Sequence, residues 1–184
     1  MAEKPIQTRE RLPPVWLFLM LGAMLAATLP AASCSHVVAP VASPRLPASV
    51  APDVFDGSLA VDLRNGFEGP EMVPFRSDGI HRVRIDLKEW TQRVIGEVGA
   101  DLHARGVPPW GSSGGRVLWV RVSGVELPSE PGGEAVISAR LTTADEVDVF
   151  AGEGRGQPGL RAALSDLRRR IVMSPSLQRF LRGD

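Results

Sequence analysis

The chain has 184 residues, 43% hydrophobic and 23% charged, a composition typical of a globular domain rather than of a disordered chain. Lysine plus arginine and aspartate plus glutamate both total 21, so no bulk positive charge indicates a nucleic-acid partner. The single cysteine excludes an internal disulfide and a cysteine-rich zinc site.

Residues 1–33 have the pattern of a cleaved signal peptide. A polar, partly basic start precedes a run of fifteen uncharged residues at 15–29. A helix rising about 1.5 Å per residue over that length is short for a bilayer core of about 30 Å. The run fits the apolar region of a secretory signal, and the small residues Ala31, Ala32 and Ser33 then lead to Cys34, the sole cysteine.

This junction resembles the lipobox of bacterial lipoproteins, which implies cleavage before Cys34 and acylation of its thiol. Position −3 is Ala31, where that family usually has leucine. A plain secretory signal cut near Ala32 is the alternative, and a permanent membrane helix is a third. Because Ser35 follows the cysteine, the resemblance implies an outer-membrane anchor with the protein facing the periplasm. Inner-membrane and surface-exposed placements stay open.

The next segment, 35–56, is rich in proline, alanine, valine and serine, which favours extended, semi-rigid backbone. We therefore predict a signal peptide (1–33), a lipidated cysteine with a spacer (34–56) and one domain (57–184).

Alternating and helical patterns follow one another in the domain. Alternation predicts strands at 59–63 and 83–87, with a loop at 65–79 between them. Asp86 is placed to cap a helix that carries an apolar stripe and ends at Gly106. Further strands are predicted at 117–122, 134–142 and 146–152, then a helix whose apolar positions run from Leu160 to Ile171, and a short helix from Ser174-Pro175.

This order of elements predicts an α/β (α+β) fold. We expect a single mixed sheet of four to five strands, packed by two amphipathic helices plus a short C-terminal helix.

Two glycine motifs formally match catalytic or cofactor signatures. Ser113 lies in a G-x-S-x-G pattern at 111–115, but that motif requires a strand before it, a helix after it and a later histidine, and all three histidines lie upstream. Residues 154–159 match G-x-G-x-x-G, yet no strand follows to complete a dinucleotide site. We therefore predict neither enzyme activity, nor a cofactor, nor a metal site.

Two surface features are candidates for partner contact. Arg168, Arg169 and Arg170 lie in an arginine-rich C-terminal segment, and helical projection predicts that all three reach solvent, where they meet an acidic partner or anionic lipid. Trp110, in a Pro/Gly loop, is a candidate anchor because exposed tryptophan is enriched at binding hot spots. The alternative is that both are ordinary solvated or folded-back surface.

Residues 56–184, approximately, resemble the YajG-type envelope lipoproteins. The segments that carry this resemblance are Val61-Asp62-Leu63-Arg64, the stretch 85–90, the helix end Arg105-Gly106 and the C-terminal helix pair. This resemblance implies a small α/β domain without an established enzymatic role. We therefore expect a non-enzymatic binding or structural module, held to the membrane by its lipid, with an envelope protein as its possible partner. Alternatives are an accessory lipoprotein of an ABC-type lipid or solute transport system and a periplasmic serine hydrolase using Ser113.

Overall fold

The computed structural model describes residues 34–47, 55, 59–77, 81–108, 115–128, 130 and 132–184. The strands are β1 (Cys34–Val37), β2 (Val61–Asn65), β3 (Met72–Ser77), β4 (His81–Asp86), β5 (Arg116–Glu126), β6 (Ala135–Thr142) and β7 (Asp148–Gly156). The helices are α1 (Leu87–His103), α2 (Leu160–Val172) and α3 (Pro175–Arg182). The α+β class is confirmed. No helix within the described ranges is long and apolar enough to cross a bilayer.

The strands form two sheets, so the prediction of a single sheet is wrong in this detail. One sheet has three strands in the order β1-β4-β3, and the other has four in the order β2-β5-β6-β7. The three-stranded sheet arises because β4 has a partner on both sides: β1 parallel and β3 antiparallel. β1 has four residues and β3 contains Pro74 at an edge, so neither shows the regular alternation by which a strand is predicted.

Helices α1 and α2 cover one face of the four-stranded sheet. Along β5, Leu118, Val120 and Val122 are buried beneath the helices, while Trp119 and Arg121 alternate with them on the exposed side. The predicted apolar stripes of both helices are buried as expected: Leu87, Trp90, Val94, Val98 and Leu102 in α1, and Leu160, Ala163, Leu164, Leu167 and Ile171 in α2. The core therefore lies between these two helices and one sheet face.

Local signals set the ends of the helices. The Asp86 carboxylate accepts a hydrogen bond from the Lys88 backbone N–H and caps α1. Ser174 caps α3 in the same way, accepting from the Leu177 N–H, with Pro175 at the first helical position. Both caps satisfy backbone donors that have no partner inside the helix, which is why these residues were predictable.

The segment predicted as a spacer is part of the domain over residues 34–47. β1 pairs with β4, and residues 38–47, which we call the strap, lie against α1 and α2. Val38, Val41 and Leu46 pack on the core cluster. Proline-rich composition favours extended backbone whether the segment is free or docked, so it does not distinguish a spacer from a strap.

Candidate functional site

Of the residues singled out by sequence, Cys34 lies within the described part of the chain. Cys34 is the first residue of β1, and its Cα is in register with that of His81. Trp110, Ser113 and the segment 1–33 lie outside the described residues.

Arg168 is buried, so the prediction that its guanidinium reaches solvent is wrong. Its side chain is 2% exposed and forms ion pairs with Asp101, at 2.6 Å from Nη2 to Oδ2, and with Glu97, at 2.8 Å from Nη1 to Oε2. Both carboxylates belong to α1. Arg168 flanks the apolar stripe of α2, and this flank faces α1 rather than water. A helical projection shows only the helix itself, so it does not reveal that α1 packs there.

Arg169 and Arg170 are exposed, at 58% and 53% of their side-chain surface, as predicted. Both donate to the carboxylate of Asp166, at 2.6 and 2.7 Å. Burial raises the pKa of Asp166, but the hydrogen bonds from Arg169, from the Arg155 backbone N–H and from Arg170 outweigh it and hold that pKa below its usual range. Two arginines thus share one carboxylate, which reduces the positive charge left for a partner.

The strap is held through its backbone carbonyls at intervals of three residues. The donors are one indole and three guanidinium groups: Trp90 Nε1 to Val38 O (3.2 Å), Arg93 Nε to Val41 O (3.2 Å), Arg168 Nη1 to Pro44 O (2.7 Å) and Arg105 Nη2 to Pro47 O (2.9 Å). Three residues per turn is the period of the polyproline II helix, whose carbonyls have no partners within the helix. The four donors therefore satisfy strap carbonyls at this three-residue spacing.

Each charged group under the strap is paired with a group of opposite charge. Glu97 accepts from the Ser43 backbone N–H at 3.1 Å and also pairs with Arg93 at 2.8 Å, while Asp101 contacts both Arg168 and Arg105. Buried ions are tolerated where each is paired and hydrogen-bonded, as here. We assign this cluster a structural role, which is to fix α1, α2 and the strap to one another.

The candidate functional site is the other side of the four-stranded sheet, which we call the open face, because neither α1 nor α2 covers it. A cavity of about 330 Å³ lies on it, lined by Gly66, Trp119, Arg121, Arg140, Thr142 and Glu146 among others. The Trp119 side chain, 37% exposed, lies in β5 and borders this cavity. The sheet thus presents a large aromatic surface to solvent, where most sheets place small polar residues.

Arginines surround this tryptophan. Arg64 in β2 is in register with Trp119, and its guanidinium carbon lies 5.9 Å from the indole centroid. The guanidinium carbon of Arg121 lies 4.8 Å from the ring of Phe67. Both distances are those of cation–π contacts, which keep the rings and cations in fixed positions while leaving N–H groups available.

One side of the cavity is set by an ion pair. Arg140 in β6 donates from Nη2 to Asp148 Oδ2 in β7 at 3.0 Å. The hydrogen bond from Arg140 lowers the pKa of the Asp148 carboxyl, against a smaller effect of desolvation. Asp62 similarly accepts from Arg64 at 2.6 Å. Arg121 donates from Nη2 to the Gly66 carbonyl oxygen but has no carboxylate partner among the described residues, so its remaining guanidinium N–H groups are available to an incoming carboxylate.

The glycine motif at 154–159 has a packing role. A Cβ at Gly154 would lie 2.2 Å from the Ala163 carbonyl oxygen, and one at Gly156 would lie 2.3 Å from the Ala162 carbonyl carbon. These glycines allow β7 to approach α2 closely. Within the described ranges, no group of three or more histidine, cysteine or acidic side chains is arranged to hold a metal ion.

The open face was not predicted, although the sequence contains its signal. Alternation in 117–122 places Trp119 and Arg121 opposite the buried valines, and two long helices are enough to cover only one side of a sheet.

Comparison with known proteins adds a distant structural similarity. No protein-family model matches the chain, and no curated protein sequence matches it. The chain has a distant structural match to the crystal structure of protein XCC0632 from Xanthomonas campestris, described by the family model DUF330, with 14% identity and a TM-score of 0.34. The match covers 81% of this chain and 92% of that one.

Proposed function

We propose that the protein is a lipid-anchored, non-enzymatic docking module of the bacterial envelope, tethered through Cys34, that binds a protein partner on the open face. The observation that carries the docking proposal is Trp119, exposed beside a cavity on the sheet face that neither α1 nor α2 covers and flanked by arginines. Tryptophan and arginine are the residues most enriched at the energetic centres of protein interfaces.

The arrangement favours a partner segment with both an apolar side chain and a carboxylate. The indole of Trp119 offers apolar area at little cost in side-chain entropy, because the cation–π contact with Arg64 already restricts it. Arg121 offers guanidinium N–H groups for charge-assisted hydrogen bonds to a carboxylate. The outer membrane, facing the periplasm, is the proposed site of action.

The anchor is tested by replacing Cys34 with alanine in the full chain. The apolar run and the small residues before Cys34 motivate acylation, so the wild type should incorporate labelled fatty acid and the variant should remain an unlabelled full-length precursor. A single acyl chain binds membranes only marginally, so mass spectrometry should find more than one acyl group on Cys34. Unlabelled wild-type protein would refute the anchor.

The docking surface is tested by photo-crosslinking in cells. A photoreactive amino acid at Thr142, which lines the cavity, should give one dominant crosslinked protein, and Trp119→Ala should remove most of that product. Val147→Ala is the matched control, because Val147 is 60% exposed and is not among the residues that line the cavity. Equal crosslinking in both variants would show that Trp119 does not hold the partner, and the absence of a crosslinked protein from Thr142 would show that the open face does not bind one.

A further inference from the structure

The three-stranded sheet begins at the proposed anchor itself. Cys34 is paired in register with His81, Val37 is paired with Arg84, and the Val38 N–H donates to the Arg84 carbonyl oxygen at 2.9 Å. The strap then continues against α1, so the chain has no slack between Cys34 and the domain. At about 3.3 Å per residue, Val37 lies about 10 Å along β1 from the residue that would carry the lipid.

One face of this sheet, which we call the outer face, points away from the core. In β4, Ile85 is fully buried and Arg84 is exposed, and adjacent residues in a strand point to opposite sides. Val37 and Pro74 flank Arg84 in register on the neighbouring strands and share its side. Met72 pairs with Asp86, two residues further along β4, and therefore also lies on this face.

The outer face combines apolar and basic groups. Val37 is 52% exposed and Met72 is 40% exposed, which makes them two of the five large hydrophobic residues that stand out at the described surface. The Arg84 side chain, exposed between β1 and β3, has no ion-pair or hydrogen-bond partner within the described part of the chain. In contrast, the exposed residues Arg64, Arg140 and Arg155 all pair with carboxylates.

We infer that the outer face lies flat on the bilayer that holds the Cys34 lipid, with Arg84 at anionic phosphate groups and Val37 and Met72 in the interfacial layer. The inference rests on the proposed acylation of Cys34. Because the anchor and Arg84 belong to adjacent strands, the lipid holds this arginine within about one to two Debye lengths of the head groups, where anionic lipid attracts it. Apolar side chains at the same level add burial in the interface.

The inference also gives the domain an orientation. The open face belongs to the four-stranded sheet, so a domain that rests on the outer face of the three-stranded sheet keeps Trp119 away from the anchor's own contact surface. The membrane and the protein partner then occupy different surfaces of one domain.

The test uses the mature acylated protein in vesicles. Acylation blocks the only native thiol, so Met72→Cys introduces a single reactive thiol for an environment-sensitive fluorophore. In vesicles of phosphatidylethanolamine and phosphatidylglycerol, a spin label near the head groups should quench this fluorophore strongly. The same fluorophore at Val147→Cys, on the turn between β6 and β7, is the matched control and should keep its full emission.

The charge is tested in the same assay. Arg84→Glu, added to Met72→Cys, should lose most of the quenching, because the reversed charge is repelled by phosphatidylglycerol. Arg161→Glu is the control, since Arg161 is exposed on α2 and also lacks a partner among the described residues, and quenching should persist. Replacing phosphatidylglycerol with phosphatidylcholine should reduce quenching in the protein with native Arg84.

The outcomes separate this inference from the proposed function. Protein whose mass shows no acyl group would overturn both. Acylated protein in which positions 72 and 147 are equally unquenched would overturn the flat orientation and leave the anchor intact. Quenching at position 72 that is unaffected by Arg84→Glu and by the lipid charge would overturn the role of Arg84.

Discussion

The Arg168 guanidinium donates to the Asp101 carboxylate across the contact between α2 and α1, with Nε and Nη2 at 2.8 and 2.6 Å from Oδ2. Both side chains are almost fully buried, at 2% and 4% exposure. Arg168 also donates to Glu97 and to the Pro44 carbonyl oxygen, so one side chain joins both long helices to the strap. Arg168 is therefore part of the domain's internal packing and is not available as a contact surface for a partner.

Arg168→Ala should destabilise the protein by about 3–5 kcal/mol, because it leaves the Asp101 and Glu97 carboxylates buried without their shared cation. Arg169→Ala is the control, one residue away on the same helix. Its exposed pair with Asp166 should contribute about 0–1 kcal/mol. Urea unfolding of both variants measures the difference. Similar losses in the two variants would mean that Arg168 is solvated in solution.

The strap should open locally when its contact with α1 is weakened. Ser43→Ala removes the hydroxyl that donates to Glu97, a loss of about 1 kcal/mol, and so raises the open population about five-fold. The rate of trypsin cleavage after Arg45 should rise by the same factor, provided that the strap opens and closes faster than trypsin cleaves it. Ser138→Ala, at an exposed contact with Glu153, should not change the cleavage rate. Equal rates in both variants would contradict a docked strap.

Gly154→Ala should destabilise the fold by about 1–3 kcal/mol, the usual range for overpacking. The added Cβ would lie 2.2 Å from the Ala163 carbonyl oxygen and 2.4 Å from Leu167 Cβ, so α2 would have to move away from β7. Gly124→Ala is the matched strand control, because its Cβ would find its nearest neighbour, Ser138 Oγ, at 4.0 Å. Thermal melts of both variants decide the matter. An unchanged melting temperature for Gly154→Ala would show a looser strand–helix contact.

Acid should remove the contribution of Asp166 to stability. Its pKa is held below the ordinary value by Arg169, the Arg155 N–H and Arg170, in excess of the opposing effect of burial. A carboxyl with a lowered folded-state pKa stabilises the protein above its unfolded pKa of about 3.9 and loses that contribution as pH falls through the folded value. Asp166→Asn should therefore flatten the acid limb of the stability profile below about pH 4. Parallel profiles for wild type and variant would count against the shift.

The parts of the fold that depend on neighbours in sequence were predictable. The apolar stripes of α1 and α2, the caps at Asp86 and Ser174, and the three strands after residue 115 all follow from periodicity and capping, in which the signal spans only a few residues. The lipobox resemblance at Cys34 is of the same local kind. It was a prediction from the sequence and stays one here.

Only the tertiary structure decided what these elements face. Arg168 occupies a helix position that is solvent-exposed for an isolated helix, and it became a buried ion pair because Asp101 and Glu97 of α1 lie opposite. The strap has the composition of a spacer, and it docks because Trp90, Arg93 and Arg168 on the helices and Arg105 just after α1 donate to its carbonyls. In both cases the deciding contact joins residues more than fifty positions apart, which periodicity within a short window does not report.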